Sequence, residues 1–463
     1  MCSLRSPETV ALHRLAVWPL IAKELREVLS GRALWTMLIL LCPLVGFSFF
    51  QATALFGEAS AAARDSPVMG SGLSPLDGVL VPTFGAFYLA TTLLFPFVAI
   101  RALGHEKETG ALRLLVQLPY RTATLITAKM VAVAIALLLA LIPVLSALPL
   151  WKALGGHLSA PETTNLLGGH LLYGLLVGAI ALFSAAISES AATAAIITLA
   201  FTIGSWVLDF ALAGQSGVLG LLSRLSLTQT LRTFEQGLLS AGLVVAIAVA
   251  IAGFCVLAVI WLHPGVPPRA KLVRSLACAA VIAALLVAAA QIRLSADVAE
   301  DQRNSFPAPD QRELAQLREP LVITVHLAPE DPRYTDLRRN VLAKLERVVP
   351  HVSIRLASGT QTVVGSSNDE SYGEVEYSYG GRSAKSRSTS HREALPILYE
   401  LADHKIPAPI AGGEYPGYPL VADAQVALPW FFAALPLLIL LAWWWMSQPP
   451  PVPQFLTQDG GSL

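Results

Sequence analysis

The sequence predicts an α-helical membrane protein, and three observations lead to this fold class. Of the 463 residues, 54% are hydrophobic and only 14% are charged, whereas soluble domains carry about 25% charge. The apolar residues form long blocks without a charged side chain, and a helix of roughly 20 such residues crosses a bilayer. Each block is continuously apolar instead of alternating with period two, which favours helices over a membrane β-barrel. The predicted spans are 33–57, 78–100, 130–151, 163–188, 190–208, 236–262, 275–292 and 424–446.

The distribution of basic residues predicts the orientation of these spans. With the N-terminus in the cytoplasm, every Lys or Arg before residue 275 lies on the cytoplasmic side, with four exceptions in the short outer loops. The exceptions are Arg64, Lys152, Arg224 and Arg232. The positive-inside rule therefore predicts cytoplasmic termini and an extracytoplasmic segment 293–426.

The segment 293–426 has the pattern of a small α/β domain. A β-rich run at 321–327 is followed by helical spacing after Asp331-Pro332 and by an alternating strand at 352–356. This order predicts a βαβ unit with parallel strands. A third strand is expected at 375–379, and Ser390-His-Arg-Glu393 is a capping box that opens a helix to about Asp403.

Two cytoplasmic segments carry helical patterns outside the spans. Residues 14–29 place apolar side chains on one face and Lys23, Glu24, Arg26 and Glu27 on the other, which favours an interfacial amphipathic helix over a plain basic flank. Between the second and third spans, Glu106, Glu108 and Thr109 precede a short apolar-faced helix at about 110–118, which Pro119 ends. The leucines of that helix need a partner surface, the membrane or the protein's own span ends, and the pattern alone leaves these alternatives open.

Three landmarks, in this order and spacing, resemble the permease subunits of type-2 ATP-binding cassette exporters. Ala22-Lys-Glu-Leu-Arg26 is similar to their elbow helix. Glu106-Lys-Glu-Thr-Gly-Ala-Leu-Arg-Leu-Leu-Val-Gln-Leu-Pro119, followed by Lys129, is similar to their coupling segment. Ser226-Leu-Thr-Gln-Thr-Leu-Arg-Thr-Phe-Glu-Gln-Gly-Leu-Leu239 resembles the segment before their sixth span. Residues 265–446 resemble a short form of the gliding-motility-type auxiliary component that is fused to such permeases.

The resemblance implies a bacterial inner-membrane transport subunit that works with a cytoplasmic ATPase and a second permease protomer. Gly-x-x-x-x-Gly-Lys-[Ser/Thr] does not occur in the sequence, so ATP hydrolysis is expected from another chain. The residues expected to couple to that ATPase are Glu106, Glu108, Thr109, Gly110, Leu112 and Leu115. The alternative is a non-transporting scaffold or sensor whose outer domain binds a partner and signals to a cytoplasmic ATPase.

Other chemistry has weak support in the sequence. Neither His-Glu-x-x-His nor Gly-x-Ser-x-Gly occurs, so no catalytic, metal or cofactor site is predicted. A formal net charge of zero gives no indication of a basic surface that would bind nucleic acid. His170 and Asp209 are the polar residues in spans that could line a path, although Asp209 lies near a helix end, where its side chain can reach water.

The predicted organisation has six parts. These are a cytoplasmic N-terminus with an interfacial helix (1–32), a six-span permease domain (33–264), a linker with the seventh span (265–292), an extracytoplasmic α/β domain (293–426), the eighth span (427–446) and a disordered cytoplasmic tail (447–463).

Overall fold

The computed structural model is mostly helical, with one small mixed sheet and one two-stranded pairing. It describes residues 7–65, 70, 72–117, 120–211, 226–328, 331–357, 371–407 and 415–448. The helices are α1 (Pro7–Ser30), α2 (Arg32–Ala62), α3 (Leu76–Glu108), α4 (Ala111–Gln117), α5 (Thr122–Ala153), α6 (Ala160–Ile187), α7 (Ala191–Ala211), α8 (Leu227–Glu235), α9 (Ala241–Leu262), α10 (Pro268–Ala290), α11 (Ala308–Leu314), α12 (332–348), α13 (His391–Leu401) and α14 (Ala424–Ser447). The strands are β1 (Leu238–Ser240), β2 (Ser295–Asp297), β3 (Leu321–Val325), β4 (Val352–Leu356), β5 (Val375–Tyr379) and β6 (Arg382–Ser386).

Seven of the described helices are long and apolar enough to cross a membrane, namely α2, α3, α5, α6, α9, α10 and α14. The predicted fifth span corresponds to α7, in which the described part 191–207 is an apolar helix. Two spans are irregular where proline removes a backbone donor. The regular helix of α3 is interrupted at Leu94, just before Pro96, and that of α5 at Leu141, just before Pro143.

The bundle core lies among α2, α3, α5 and α6. In α6, 72% of the residues in the most apolar window are buried, against only 6% in α10. Small residues let helices approach closely, as where Gly253 on α9 faces the Ile282 side chain on α10. The apolar surface of α10 is exposed, as expected for a helix that faces lipid or another protein.

The last span returns to the first one. The ring centroids of Phe49 on α2 and Phe431 on α14 are 5.9 Å apart, and a Cβ on Gly46 would collide with Phe431. Trp430 also donates from Nε1 to Ser146 Oγ at 2.9 Å. The segment between α10 and α14 is therefore anchored at both ends in the helical bundle.

The α/β unit is built on a four-stranded sheet with the order β4-β3-β5-β6. β3 and β4 are parallel and joined through α12, while β5 is antiparallel to both β3 and β6. The predicted βαβ unit and third strand are thus confirmed. Alternate residues of β3 face a core with α12 and α13. That core includes Leu321, Ile323, Val325, Leu337, Val341, Leu345, Leu395 and Leu398.

The α/β unit rests on the ends of α3 and α6 that lie away from Glu106. Arg303 pairs with Asp77 at the start of α3. The Glu300 carboxylate contacts His157 Nε2 at 2.9 Å and accepts from the Tyr418 hydroxyl at 2.7 Å. The Glu300 amide donates to Glu162 Oε1 at 2.6 Å. This polar contact joins the α/β unit to one end of the bundle.

The structure corrects several sequence-based boundaries. The sixth span begins at Ala241 instead of 236, because 238–240 forms β1, which pairs antiparallel with β2. β6 was not predicted. Of the coupling-segment residues, Leu118 and Pro119 lie outside the described residues, as do the loop 358–370 and the tail from 449.

Candidate functional site

The helix α1 brings charged side chains into the bundle at the end that holds Glu106. The predicted helix 14–29 is confirmed as part of the longer α1, which packs against α5 and α3. Val28 on its predicted apolar face is buried and so is Leu20, whereas Trp18 on that face is 72% exposed. Glu24, which the sequence placed on the polar face, is also fully buried because that face lies against charged groups of α3 and α5.

Five side chains form a charge cluster at this point: Lys23, Glu24, Glu27, Glu106 and Lys129. At its centre, the Lys129 ammonium is 2.7 Å from Glu24 Oε2 and 2.7 Å from Glu106 Oε2. It also donates to the Ala102 carbonyl at 2.5 Å. Lys23 pairs with Glu106 as well and with Glu27 at 3.1 Å. The charge cluster therefore connects α1, α3 and α5.

The electrostatics of the charge cluster depend on both lysines. Burial raises the pKa of Glu24, an effect that the positive charge of Lys129 opposes. Burial lowers the pKa of Lys23, but its hydrogen bond to Glu106 and the charge of Glu24 outweigh this and raise that pKa above its usual range. Three carboxylates lie within 4.8 Å of one another, a spacing that a metal ion could use. Their oxygens already contact two ammonium groups, so the lysines supply the positive charge here.

A short helix follows α3 at this end of the bundle and presents one leucine outward. α3 ends in a turn at Gly110, whose φ of +76° favours glycine, and α4 follows at once. Leu112 packs inward against Leu20 and Leu125, and Leu115 lines the space beside them. Leu114, which was not singled out in the sequence, is 68% exposed. Its exposure follows from helical spacing, because it points away from the face that Leu112 and Leu115 share.

The structure separates the predicted coupling residues into different roles. Glu106 is only 2% exposed and uses its carboxylate inside the chain, whereas Glu108 is exposed. Thr109 caps the C-terminal end of α3, and its hydroxyl donates to the His105 carbonyl at 2.8 Å. Gly110 is the hinge between the two helices.

Lys107 provides a second connection, which sequence reasoning missed. Its ammonium donates to the carbonyls of Ala185, Ala186 and Ser188 at 2.6, 2.8 and 2.8 Å. These carbonyls are at the C-terminal end of α6, where a helix leaves acceptors unsatisfied and attracts positive charge. Displacement of the α3–α4 turn is thereby linked to α6.

A cavity of about 410 Å³ opens beside α4, lined by Leu20, Leu115, Arg121, Val259 and His263 among others. It lies between α1, α4 and the end of α9.

The two predicted pathway residues lie elsewhere. His170 is fully buried between α3, α6 and α8, near the end that carries the α/β unit. Asp209 is in α7, and its side chain lies outside the described residues. The structure therefore does not bring His170 to the charge cluster.

One family model matches part of the helical bundle. Residues 18–230, slightly less than half of the chain, match the family model described as ABC-2 family transporter protein. This part of the chain is therefore similar to ABC-2 transporter domains. Neither a curated protein nor a solved structure matches the chain.

The match covers the bundle from α1 into α8 and includes all five residues of the charge cluster as well as α4. Over this part the chain is similar to ABC-2 transporters, and its apolar helices fit a multi-pass membrane protein. The match ends before α9, so α10, the α/β unit and α14 lie outside it.

Proposed function

We propose that the chain is the permease subunit of an ATP-binding cassette exporter and that a separate ATPase subunit docks on α4. The family match supports a permease role. The observation that carries the docking site is the two-sided arrangement of α4, in which Leu112 is packed inward while Leu114 is 68% exposed. One exposed leucine alone is ordinary on a protein surface, so the proposal combines the exposure of Leu114 with the resemblance of residues 106–119 to the coupling segment of type-2 exporters.

The proposed mechanism uses the charge cluster as a rigid base for α4. Closure of the ATPase on ATP would push α4 and the turn at Gly110. The Glu106 and Lys129 contacts transmit this displacement to α1 and α5, and Lys107 transmits it to α6. Glu106 therefore acts as a positioning residue within the permease, while Glu108 and Leu114 meet the ATPase.

The proposal also sets the orientation and the assembly. The α4 end faces the cytoplasm, both termini are cytoplasmic and the α/β unit is extracytoplasmic, in agreement with the basic-residue distribution. A second permease protomer completes the transporter. The apolar faces of α7 and α10 support this assembly, since Ile196, Trp206 and Leu276 are 68%, 53% and 64% exposed. The membrane is the bacterial inner membrane, as the family resemblance implies, and the permease chain itself is not an enzyme.

The test is to purify the full-length chain with the ATPase that accompanies it and to measure vanadate-sensitive ATP hydrolysis in proteoliposomes. Leu114→Ser is expected to lower the amount of bound ATPase at least tenfold while the permease keeps its melting temperature. Leu294→Ser is the matched control, because Leu294 is 74% exposed between α10 and β2, outside both the docking surface and the apolar faces of α7 and α10. Equal ATPase binding by the Leu114→Ser and wild-type proteins would refute docking on α4.

A second function, that of a sensor without transport, is favoured by the close connection between the α/β unit and the bundle through Glu300, Arg303 and the β1–β2 pairing. An exporter should move a hydrophobic or amphiphilic substrate across the proteoliposome membrane when ATP is hydrolysed. A sensor should instead change ATPase activity upon partner binding, with no movement of substrate.

A further inference from the structure

The interface of α3, α6 and α8 encloses an imidazole that is surrounded by acceptor groups. His170 is fully buried, with the Phe84 and Phe87 rings 5.1 and 6.0 Å from its own. Its Nδ1 is 3.0 Å from the Leu166 carbonyl. Its Nε2 is 3.8 Å from Oε1 of Glu235 at the end of α8, and it has no hydrogen-bond partner among the described residues.

The number of protons at this interface follows from hydrogen-bond chemistry. A carbonyl oxygen only accepts, so a neutral His170 ring that donates to the Leu166 carbonyl carries its hydrogen on Nδ1. Nε2 then presents a lone pair toward the Glu235 carboxylate, and the Phe84 carbonyl also lies beside the ring. An ionised Glu235 opposite a neutral His170 would place acceptors against one another in a buried site, which is unfavourable. One additional proton, on either residue, converts this repulsion into a hydrogen bond or an ion pair.

The surroundings favour retention of that proton. Burial raises the pKa of Glu235 to about 7, and the charge of Arg232 on the same helix opposes this effect. The neighbouring side chains from α3 and α6, Phe84, Phe87 and Asn165, do not ionise.

On the side of α9, Phe234 of α8 packs against the apolar side chain of Ile247. The single acidic residue of α7 is Asp209, whose side chain lies outside the described residues. The Asn165 amide donates to the Phe234 carbonyl at 2.8 Å, which holds α8 close to α6.

We propose that His170 and Glu235 form a proton-binding site that holds one proton between them and fixes α8 on α6. Loss of the proton places a carboxylate against the bare Nε2 and loosens α8. Because α8 is followed directly by β1, which pairs with β2, this change reaches the α/β unit. The site lies at the bundle end that carries that unit, opposite the charge cluster, and its existence does not depend on ATPase docking.

The experiment uses the full-length chain in lipid vesicles, labelled with ¹⁵N-histidine. Infrared spectra between pH 5 and 9 detect a protonated carboxyl group, and nitrogen NMR detects a protonated Nε2. At pH 7 we expect either a carboxylic acid band that Glu235→Gln abolishes, or a doubly protonated ring that His170→Phe abolishes. That signal should titrate in one step with a midpoint within about one unit of 7, the value to which burial moves Glu235.

Glu58→Gln is the control, because Glu58 is an exposed carboxylate on α2 and its replacement should leave the signal unchanged. If Glu235→Gln does not elute and melt like the wild type, Glu235→Asp is used, and it should shift the midpoint. An ionised Glu235 together with a bare Nε2 at pH 7, or a titration between pH 5 and 9 that neither Glu235 variant changes, would overturn the proposal.

Discussion

Replacement of Lys129 by methionine tests whether the charge cluster holds the bundle together. Lys129 is fully buried and contacts two carboxylates, each at 2.7 Å. At an effective dielectric constant of about 20, each pair attracts by about 6 kcal/mol, and the desolvation of the ammonium group opposes this by several kcal/mol. Removal of one partner from such a buried network costs about 3–5 kcal/mol, because the remaining charges lose their compensation.

We therefore expect Lys129→Met to lower the free energy of unfolding by about 3–5 kcal/mol. Denaturant titration of the detergent-solubilised protein, followed by tryptophan fluorescence, measures this change. Lys152→Met is the matched control, since Lys152 lies on the same helix, is exposed and should change stability by no more than about 0.5 kcal/mol.

A triple variant separates loss of charge compensation from loss of packing. When Glu24→Gln and Glu106→Gln are added to Lys129→Met, no carboxylate is left next to the missing ammonium group, and most of the stability should return. The reasoning is refuted if Lys129→Met stays within about 1 kcal/mol of the wild type. It is also refuted if the triple variant is no more stable than the single one.

Three further predictions concern other parts of the chain. Lys107→Met leaves the last carbonyls of α6 without their cation, so backbone hydrogen exchange at the start of α7 should accelerate, and unchanged exchange would contradict the link. Gly110→Ala forces a side chain onto a backbone φ of +76° and should lower the free energy of unfolding by about 1–2 kcal/mol. Gly168→Ala is the control on an open face of α6 and should raise the free energy of unfolding by about 0.4–1 kcal/mol. Thermal unfolding of the two variants measures both changes. Hydrogen bonds from Arg333 lower the pKa of Asp331 to about 2, so their stabilising effect is present above about pH 4 and is lost as the pH falls through 2. Arg333→Ala should return the NMR titration of Asp331 toward 3.8, and an unmoved midpoint would show that another group causes the shift.

The membrane-helical class and most of the α/β topology could be predicted from the sequence because their signals are local. Whether an apolar block can cross a bilayer depends on its length and does not depend on what the block packs against. The alternation in 352–356 and the helical spacing in 332–348 likewise depend only on which face is buried. β6 was missed because Arg382-Ser-Ala-Lys-Ser386 has a single apolar residue, and what holds it in place is pairing with β5.

The candidate site could be predicted only in part. The sequence identified the segment 103–121 and the charges in it, but it gave Glu106 and Glu108 the same role. Burial distinguishes them, since Glu106 faces Lys129 and Glu108 faces outward. Helical spacing could have identified Leu114, whereas nothing local indicates that Lys107 reaches the carbonyls at the end of α6.

The sequence by itself thus determined where the apolar helical segments lie, the expected orientation from its basic residues, and the small α/β unit between the last two predicted spans. Only the tertiary structure decided that Glu24, Glu106 and Lys129 meet, and that His170 faces Glu235. The physical reason is the sequence distance over which each kind of interaction acts. Hydrophobic length and periodicity act within one segment, whereas the partner of a buried charge is set by the packing of helices that are far apart in the chain. Glu24 and Lys129, for example, are 105 positions apart.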